Sequence, residues 1–466
     1  MILEKIKIKD IIGCRFDFTY LHYIGHCYRY PTVPLRKLLT EKPQYGSGEA
    51  GIIRENNETI RYVRITDIDD NGLLLDNWGA TVNNVEHKYI LNDDDILIAR
   101  SGNTVGKSYI HKTAKVTYPC LFAGYMIRFV VNQDLVLPDY LFAFTQTSIY
   151  KEWVKATQRT TGQPNINAEE YGNMLVPLPP FHIQKKIIDA HKQALQAKQQ
   201  KEQESKNIQS RVDTYILNQL GVILPSKDSF ENKCNIISVS QLINKRFDPY
   251  YHQEYFDQAF KQLSETSNYK LRRLSDITVL ITSGITPKSG GDDYTDSEHG
   301  VAFIRSGNID IMGEVDFDNL LYIKREVHDT RMKSSKVQNG DIMIAIVGAT
   351  IGQVGIYHSS REANINQAIA LVRLKDGYNP EYIKEVIKSS IGQLNLDRLK
   401  RPVARANINL EEISSMLIPV PEIEIQNKIV KNIVSIRQQA KRLQKEGVEL
   451  LEKTKQEIEN IILGNL

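Results

Sequence analysis

The sequence predicts an α+β chain built as two tandem α/β heads, each followed by one long helix. Three observations predict this class: an internal duplication, an abrupt change of pattern after a proline cluster in each copy, and helical seam spacing beyond each cluster. At 466 residues the chain is too long for one ordinary core, and domains of roughly 100–200 residues imply two to four of them.

The duplication is direct. Arg15-Phe16-Asp17 recurs as Arg246-Phe247-Asp248, and Leu35-Arg36-Lys37-Leu38 as Leu271-Arg272-Arg273-Leu274. YVRITDIDDNG from Tyr62 answers FIRSGNIDIMG from Phe303, and DILIARSGNTVGKSYI from Asp95 answers DIMIAIVGATIGQVGI from Asp341. NINAEEYGNMLVPLPPFHIQKKII from Asn165 answers NINLEEISSMLIPVPEIEIQNKIV from Asn407. The separations are 231, 236, 241, 246 and 242 residues, in chain order, so two copies descend from one unit.

Within each copy the early part has short β-branched and aromatic runs broken by Gly, Asn and Asp, the pattern of strands joined by turns. DILIARSGNTVG and DIMIAIVGATIG read as a buried strand entering a Gly-containing turn. Pro177-Leu178-Pro179-Pro180 and Pro419-Val420-Pro421 end each head, because proline cannot continue what precedes it. Beyond them Ile429, Ile433, Ile436, Ala440, Leu443, Gly447, Leu450 and Thr454 step by fours and threes, a coiled-coil seam. Ile183, Ile187, Ala190, Ala194 and Ala197 follow the same rule, and after a Lys/Gln/Glu-rich middle come Ile208, Val212 and Tyr215. Such a stripe on one helix ordinarily means packing on its own domain. Two of them in corresponding places favour pairing with each other, the alanines allowing close approach. The expected segments are a head over 1–179, a helix over 180–222, a head over 223–420 and a helix over 421–466.

Lys and Arg number 59 against 56 acidic residues, so a net charge of +3 gives no general polycation signal and a nucleic-acid role must rest on local placement. Cys14, Cys27, Cys120 and Cys234 are scattered without a CxxC pair, which fits reduced thiols in a cytoplasm. The start, MILEKIKIKD, alternates like a strand. No stretch reaches the length of a membrane span, so neither export nor anchoring is expected.

At this point the chain resembles the specificity subunits of type I restriction-modification enzymes. The resemblance is carried by PLPPFHIQKKII and PVPEIEIQNKIV, by Gln44-Tyr45-Gly46 in the first head, by Ser283-Gly284-Ile285-Thr286-Pro287 in the second, and by Asn366-Gln367 with its apolar run. It implies two target-recognition domains in a pseudo-two-fold arrangement, each reading half of a split double-stranded DNA sequence, with the two helices as an antiparallel coiled-coil spacer. It also implies docking of two methyltransferase subunits, with restriction/translocase subunits joining for cleavage. No catalytic residue, cofactor or metal is expected in the chain itself.

Such a reader needs cations for phosphates and Asn, Gln or Arg for base edges. The candidates are polar positions that differ between the copies beside frame residues that do not. In the first head these are Lys155, Gln158, Arg159, Thr160, Thr161 and Gln163, just before Asn165-Ile166-Asn167. At the same place in the second head stand Arg398, Lys400, Arg401 and Arg405, before Asn407-Ile408-Asn409. A solvated loop is the plain alternative for any one residue, but both copies put cations there. Arg100, Ser101, Asn103 and Lys107 surround the Gly-containing turn, where the second head has Ile346, Val347, Ala349 and Gln353. Lys288, with Gln44 and Tyr45 in the other head, occupies the family's Gly-rich loop. Arg64 and Arg305 recur in frame and are expected to form structural ion pairs.

Rival readings fail on the residues. SGNTVGKS from Ser101 imitates a phosphate-binding P-loop, but Gly102 and Gly106 enclose three residues where four are needed, and Gln353 replaces Lys107 in the sister copy. Asp248-Pro249-Tyr250-Tyr251 imitates an adenine-methyltransferase motif, yet its partner Asp17-Phe18-Thr19-Tyr20 lacks the proline and no Gly-rich cofactor turn precedes either copy; an anchor for each head is the expected role. Cys14, His22, His26 and Cys27 have poor zinc spacing and no counterpart. A scaffold that binds only proteins remains the alternative that local chemistry does not exclude.

Overall fold

The structure, a computed structural model, describes residues 28–77, 79–158, 163–227, 237–239, 246–310, 312–401 and 406–464. It has mixed helix and sheet, as expected. Two compact units contain residues 1–203 with 443–466, and 204–442.

In the first unit the apolar runs form two small sheets. One is antiparallel, in the order Gln44–Tyr45, Met126–Phe129, Ile96–Ala99, Ser108–Ile110. The other runs Ile52–Ile53, Ala80–Thr81, Arg61–Val63, Cys120–Phe122, its last pair parallel. Ile96–Ala99 is apolar throughout because it is buried on both faces. Ile96 and Ile98 join a core with Phe129 and Tyr140, while Leu97, on the opposite side by the two-residue strand period, joins Tyr62 and Phe122.

The second unit repeats this plan. One sheet orders Thr278–Ser283, Ile369–Leu374, Ile342–Ala345, Val354–Ile356; the other orders Tyr294–Thr295, Leu321–Lys324, Gly300–Ile304, Ala363–Ile365, Lys336–Val337. Ile342 and Ile344 enter one core and Met343 the other.

Each head is closed by an antiparallel ribbon, Thr32–Pro34 with Leu175–Pro177 and Leu271–Arg273 with Leu417–Pro419. The chain then turns at the prolines into the helices Phe181–Leu220 and Ile423–Leu463. The glutamine of each Ile-Gln motif fixes that turn. Gln184 Oε1 accepts from Leu137 N at 2.9 Å and its Nε2 donates to Pro179 O at 2.9 Å. Gln426 does the same with Asn379 N at 2.9 Å and Pro421 O at 2.7 Å. Both amides are buried with their hydrogen bonds satisfied, so an apolar replacement would leave backbone groups unpaired.

The long helices pair antiparallel. In the first unit Leu195 packs with Leu451, and Lys201 meets Glu446 at 2.7 Å; in the second, Tyr215 Oη accepts from Asn432 Nδ2 at 2.7 Å. The polar middle of the first helix is thus bridged by an ion pair. The helices approach closely at Gly447, where a Cβ would lie 3.4 Å from Lys198 Cα, and Ala194 is buried against Leu451 as the alanine seam predicts. The seam also departs from the expected register: Leu451 is fully buried while Leu450 is 38% exposed. From Gly447 the next buried position is Leu451, four residues on, and the expected seam resumes at buried Thr454; a 3.6-residue helix drifts off a 3.5-residue seam by such local steps. Among the described residues no helix is long and apolar enough to cross a membrane.

The heads dock onto the helices through carboxylates. Glu459 accepts from the backbone N of Ser148 and from its Oγ, the latter at 2.8 Å, at the start of the helix Ser148–Thr157. Asp213 accepts from Ser390 N at 2.7 Å and from its Oγ at the start of Ser390–Leu399. Near the first of these docks His191 is buried against Phe142, and burial, aided by the nearby Lys455 charge, lowers its pKa to about 4.

Because the folded state holds His191 neutral while the unfolded chain takes up a proton near pH 6.5, this unit loses stability as pH falls from about 6.5 toward about 4. The loss is on the order of 3 kcal/mol at most. Denaturant unfolding of the full chain against pH should show this acid slope, and His191→Leu should flatten it; an unchanged slope would refute the assignment.

Candidate nucleic-acid interface

The shared frame motifs are local clamps. In each Asn-Ile-Asn segment the second asparagine caps a short helix. Asn167 Oδ1 accepts from Glu170 N at 2.9 Å while the Glu170 carboxylate accepts from Asn167 N at 2.8 Å; Asn409 and Glu412 repeat this at 2.7 and 2.9 Å. Such reciprocal capping satisfies helix-end N–H groups that would otherwise lack partners. The aspartates opening the buried strands also recur as clamps: Asp95 pairs with Arg128 at 3.3 Å and Asp341 with Arg373 at 2.7 Å.

These clamps bring two of the predicted clusters together in each head. Ser101 bridges to Asn165, Gly102 N donates to Pro164 O at 2.9 Å and Ile166 N to Arg100 O at 2.9 Å. The second head repeats the contact with Val347 and Asn407, Gly348 N donating to Ala406 O at 3.0 Å and Ile408 N to Ile346 O at 2.9 Å. The Gly-containing turn and the segment before Asn-Ile-Asn therefore form one edge. Gly102 and Gly106, with φ of +78° and +86°, turn the chain between two antiparallel strands. No helix follows to supply the N-terminus a P-loop requires, which removes that resemblance on structural grounds.

In the first head Arg100 lies over the Tyr45 ring at 4.8 Å, and Tyr45 Oη accepts from Ala168 N at 3.1 Å. Tyr45 is 40% exposed, so the stack holds a guanidinium at the rim in a fixed plane. Gln163 lies beside Gly102, and Asn103 is exposed. A neighbouring cleft of about 500 Å³ is lined by Asn103, Lys107, Lys151, Lys155 and Gln158. Lys107 pairs at 3.2 Å with a fully exposed Asp70, and Lys155 is exposed. Lys151, one helical turn before Lys155, completes a cationic edge that the sequence reading did not single out, though the i, i+4 spacing signals it. Arg159, Thr160 and Thr161 lie outside the described residues.

The second head uses its cations differently. Arg398 donates to Asp257 at 2.6 Å and Tyr251 O at 3.2 Å, and stacks on Tyr251 and Phe260. Arg401 makes two bonds to Glu412, at 3.0 and 2.9 Å. Glu412 also receives Arg246 at 3.3 Å, and Arg246 donates to Leu399 O at 2.6 Å. Lys400, about a third exposed, pairs with Asp397 at 2.7 Å. Arg405 lies outside the described residues. Arg246 and Asp248, themselves bonded at 2.6 Å, thus anchor this head as expected of that motif, and Arg246 with Glu412 sets the loop. Their role was legible only as a repeat.

Lys288 is exposed in the loop after Ser283, away from this edge in sequence. That loop begins at Gly284, where a Cβ would overlap Ile365 O, so close backbone approach explains the motif. Arg64 forms the expected ion pair, with Asp67 at 2.9 Å. Arg305 does not: the matching residue is Asn308, whose Oδ1 accepts the Arg305 backbone N–H at 3.0 Å, and the Arg305 side chain is exposed. The Cys14, His22, His26 and Cys27 set lies outside the described residues.

The head is duplicated, and the two copies present different side chains on the same clamped edge. The type I restriction modification DNA specificity domain matches the chain twice, at residues 49–210 and 266–460. The chain belongs to this family, as a non-catalytic specificity subunit with two target-recognition domains. It is 34% identical over 159 residues to the EcoBI specificity subunit of Escherichia coli, covering 34% of this chain and 32% of that subunit. It is 22% identical over 382 residues to the MjaVIII specificity subunit of Methanocaldococcus jannaschii, covering 80% and 79%. The first of these alignments therefore spans about a third of that relative. Among solved structures, a chain from a study of assembly and conformational transition in the type I restriction-modification system matches with a TM-score of 0.52 at 15% identity, over 94% of this chain and 98% of that one. That likeness is one of fold.

In the second head Arg401 is fixed by two bonds to Glu412, whereas among the described residues Lys400 pairs only with Asp397, within its own helix end. Arg401→Ala should loosen the loop and reduce discrimination at one half-site while leaving the salt dependence of binding unchanged. Lys400→Ala should weaken binding across sequences and lower the slope of log K against log salt by about one unit. Quantitative DNA binding with the methyltransferase partner at several salt concentrations tests both; the reverse pattern would exchange their roles.

Proposed function

We propose that residues 1–179 and 223–420 each read one half of a split double-stranded DNA target, with residues 180–222 and 421–466 as the ruler between them. The observation that carries this reading is the edge formed in both heads by the same backbone contacts, Ser101 with Asn165 and Val347 with Asn407. Its frame is constant and its side chains differ. Unlike half-sites need that combination.

In the first head Arg100, Ser101, Asn103 and Gln163 supply base-edge donors and acceptors, and Lys107, Lys155 and Gln158 approach phosphates, with Arg159, Thr160 and Thr161 extending the same segment. In the second, Lys400 and Arg405 take the phosphate role, Arg398 and Arg401 hold the loop, and Lys288 contributes from the Gly-rich loop. Two methyltransferase subunits dock on the chain, and restriction/translocase subunits join for cleavage, in the cytoplasm where the DNA lies. The chain itself needs no cofactor.

A 40-residue helix rises about 60 Å at about 1.5 Å per residue, between one and two turns of B-DNA at roughly 34 Å each. This length suits two half-sites on one duplex.

The purified chain with its methyltransferase partner should retain DNA sequence-selectively and should not methylate alone. Methylation by the chain alone, or no DNA preference with the partner present, would overturn the reading. Removing one heptad from the polar middle of the first helix and the facing heptad of the second should move the preferred spacer to a shorter length, as read by selection from a library with randomised spacers. An unchanged spacer would rule out the ruler role.

A further inference from the structure

A cavity of about 430 Å³ in the first unit plays no part in the reading edge. Its walls come from the 72–76 loop, residues 109–118, and the face of the first long helix from Ile188 to Gln199. None of its lining residues belongs to the 100–107 or 155–163 stretches.

Arg61 lies in this wall and is 2% exposed. Its Nη1 donates to the Tyr118 hydroxyl at 2.8 Å, and its Nη2 to Leu75 O and Asn77 Oδ1 at 3.0 Å each. All three partners are neutral. Among the described residues no carboxylate forms an ion pair with Arg61, and its Nε has no hydrogen-bond partner. A guanidinium cannot lose its proton to escape burial, and buried charges are otherwise paired. Tyr109, Ile110 and Phe142 give the cavity an apolar wall. Its charged lining is Arg61, Lys112, Lys115 and Lys192 against Asp76 and Asp139, and Asp139 is already bound by Lys112 and Lys192 at 2.8 and 3.0 Å. Lys112 also pairs with Asp94, so Arg61 and Lys115 against Asp76 leave the cavity one net positive charge.

The sister head shows that the fold does not need this arginine. Ala302, Glu314 and Gly355 stand where the first head has Arg61, Leu73 and Tyr109, and a Cβ at Gly355 would meet Ile309 at 2.8 Å and Gly313 O at 3.0 Å. There the backbone fills the space next to Gly355, and a different cation, Lys388, donates to Met312 O at 2.6 Å beside Gly313.

We propose that this cavity binds a small organic anion, a carboxylate or phosphate monoester on a flat apolar body, with its charge against Arg61. Its volume lies within the roughly 300–1,000 Å³ of small-molecule sites. An apolar wall with one fixed charge selects an amphipathic anion over inorganic phosphate.

The test uses the full chain and calorimetric titration with 1-naphthoate, 1-naphthyl phosphate and the neutral 1-naphthalenemethanol. Saturable one-site binding is expected for the anions, tighter than for the alcohol by about tenfold or more, and the better-bound anion identifies the headgroup. Arg61→Met should remove that preference. Should Arg61→Met unfold, Ala114→Trp at an exposed lining position fills the mouth and should abolish binding with thermal stability unchanged. Equal binding of the alcohol, no binding of any probe, or wild-type binding by Ala114→Trp would overturn the proposal.

Discussion

The architecture depends on a carboxylate placed at a helix start. Glu459 and Asp213 each reach from a long helix to the exposed N–H groups of a head helix, at Ser148 and Ser390. The first turn of a helix carries unsatisfied donors and partial positive charge, so a carboxylate there gains both hydrogen bonds and the dipole interaction. Glu459 is 5% exposed, a burial that demands such partners. In each unit the docking acid lies near the far end of one long helix, whereas the glutamine clamp, Gln184 or Gln426, lies at the near end of the other. Each head is therefore held by both helices, and neither helix could slide along the other without breaking a buried polar contact.

That constraint explains the division between constant and changing residues. The constant ones are committed to the backbone: Asn167 and Asn409 to short-helix caps, Asp95 and Asp341 to arginines across a sheet, Tyr140 and Tyr382 through their hydroxyls to Pro177 O and Pro419 O at 2.6 and 2.8 Å. The side chains that project from the edge between them carry no such duty and can change without unfolding the head. A surface that must be rewritten for each DNA sequence is best carried on backbone contacts that no side chain determines.

The fold was largely legible in the sequence because repetition and seam spacing report on burial, which backbone geometry fixes. Proline clusters marked the heads' ends, and fully apolar ILIA and IMIA marked strands buried on two faces. The seam near Leu450 lies one residue on, at Leu451, because burial follows the 3.6-residue turn of the helix and not the 3.5-residue pattern read from the sequence. Charge was less legible. Arg64 and Arg305 are equivalent in sequence, yet the single change from Asp67 to Asn308 removes the ion pair. Arg398 and Arg401 read as free cations because their acceptors, Asp257 and Glu412, lie 141 and 11 residues away. A cation's availability is set by the three-dimensional position of the nearest carboxylate, which local pattern does not encode.

The two heads thus solve the same electrostatic problem in opposite ways. In the first, Arg100 is oriented by a neutral aromatic ring and retains its full charge at the rim; in the second, Arg401 is oriented by Glu412 and is neutralised as it is fixed. Stacking positions a guanidinium without consuming its hydrogen-bonding capacity, whereas a two-bond ion pair occupies its acceptor-seeking edge. A rim built the first way can use the arginine itself to recognise an acceptor-rich base edge. On the proposed reading, a rim built the second way presents the fixed loop itself alongside Lys400, so loop shape carries more of its selectivity than Arg401 does.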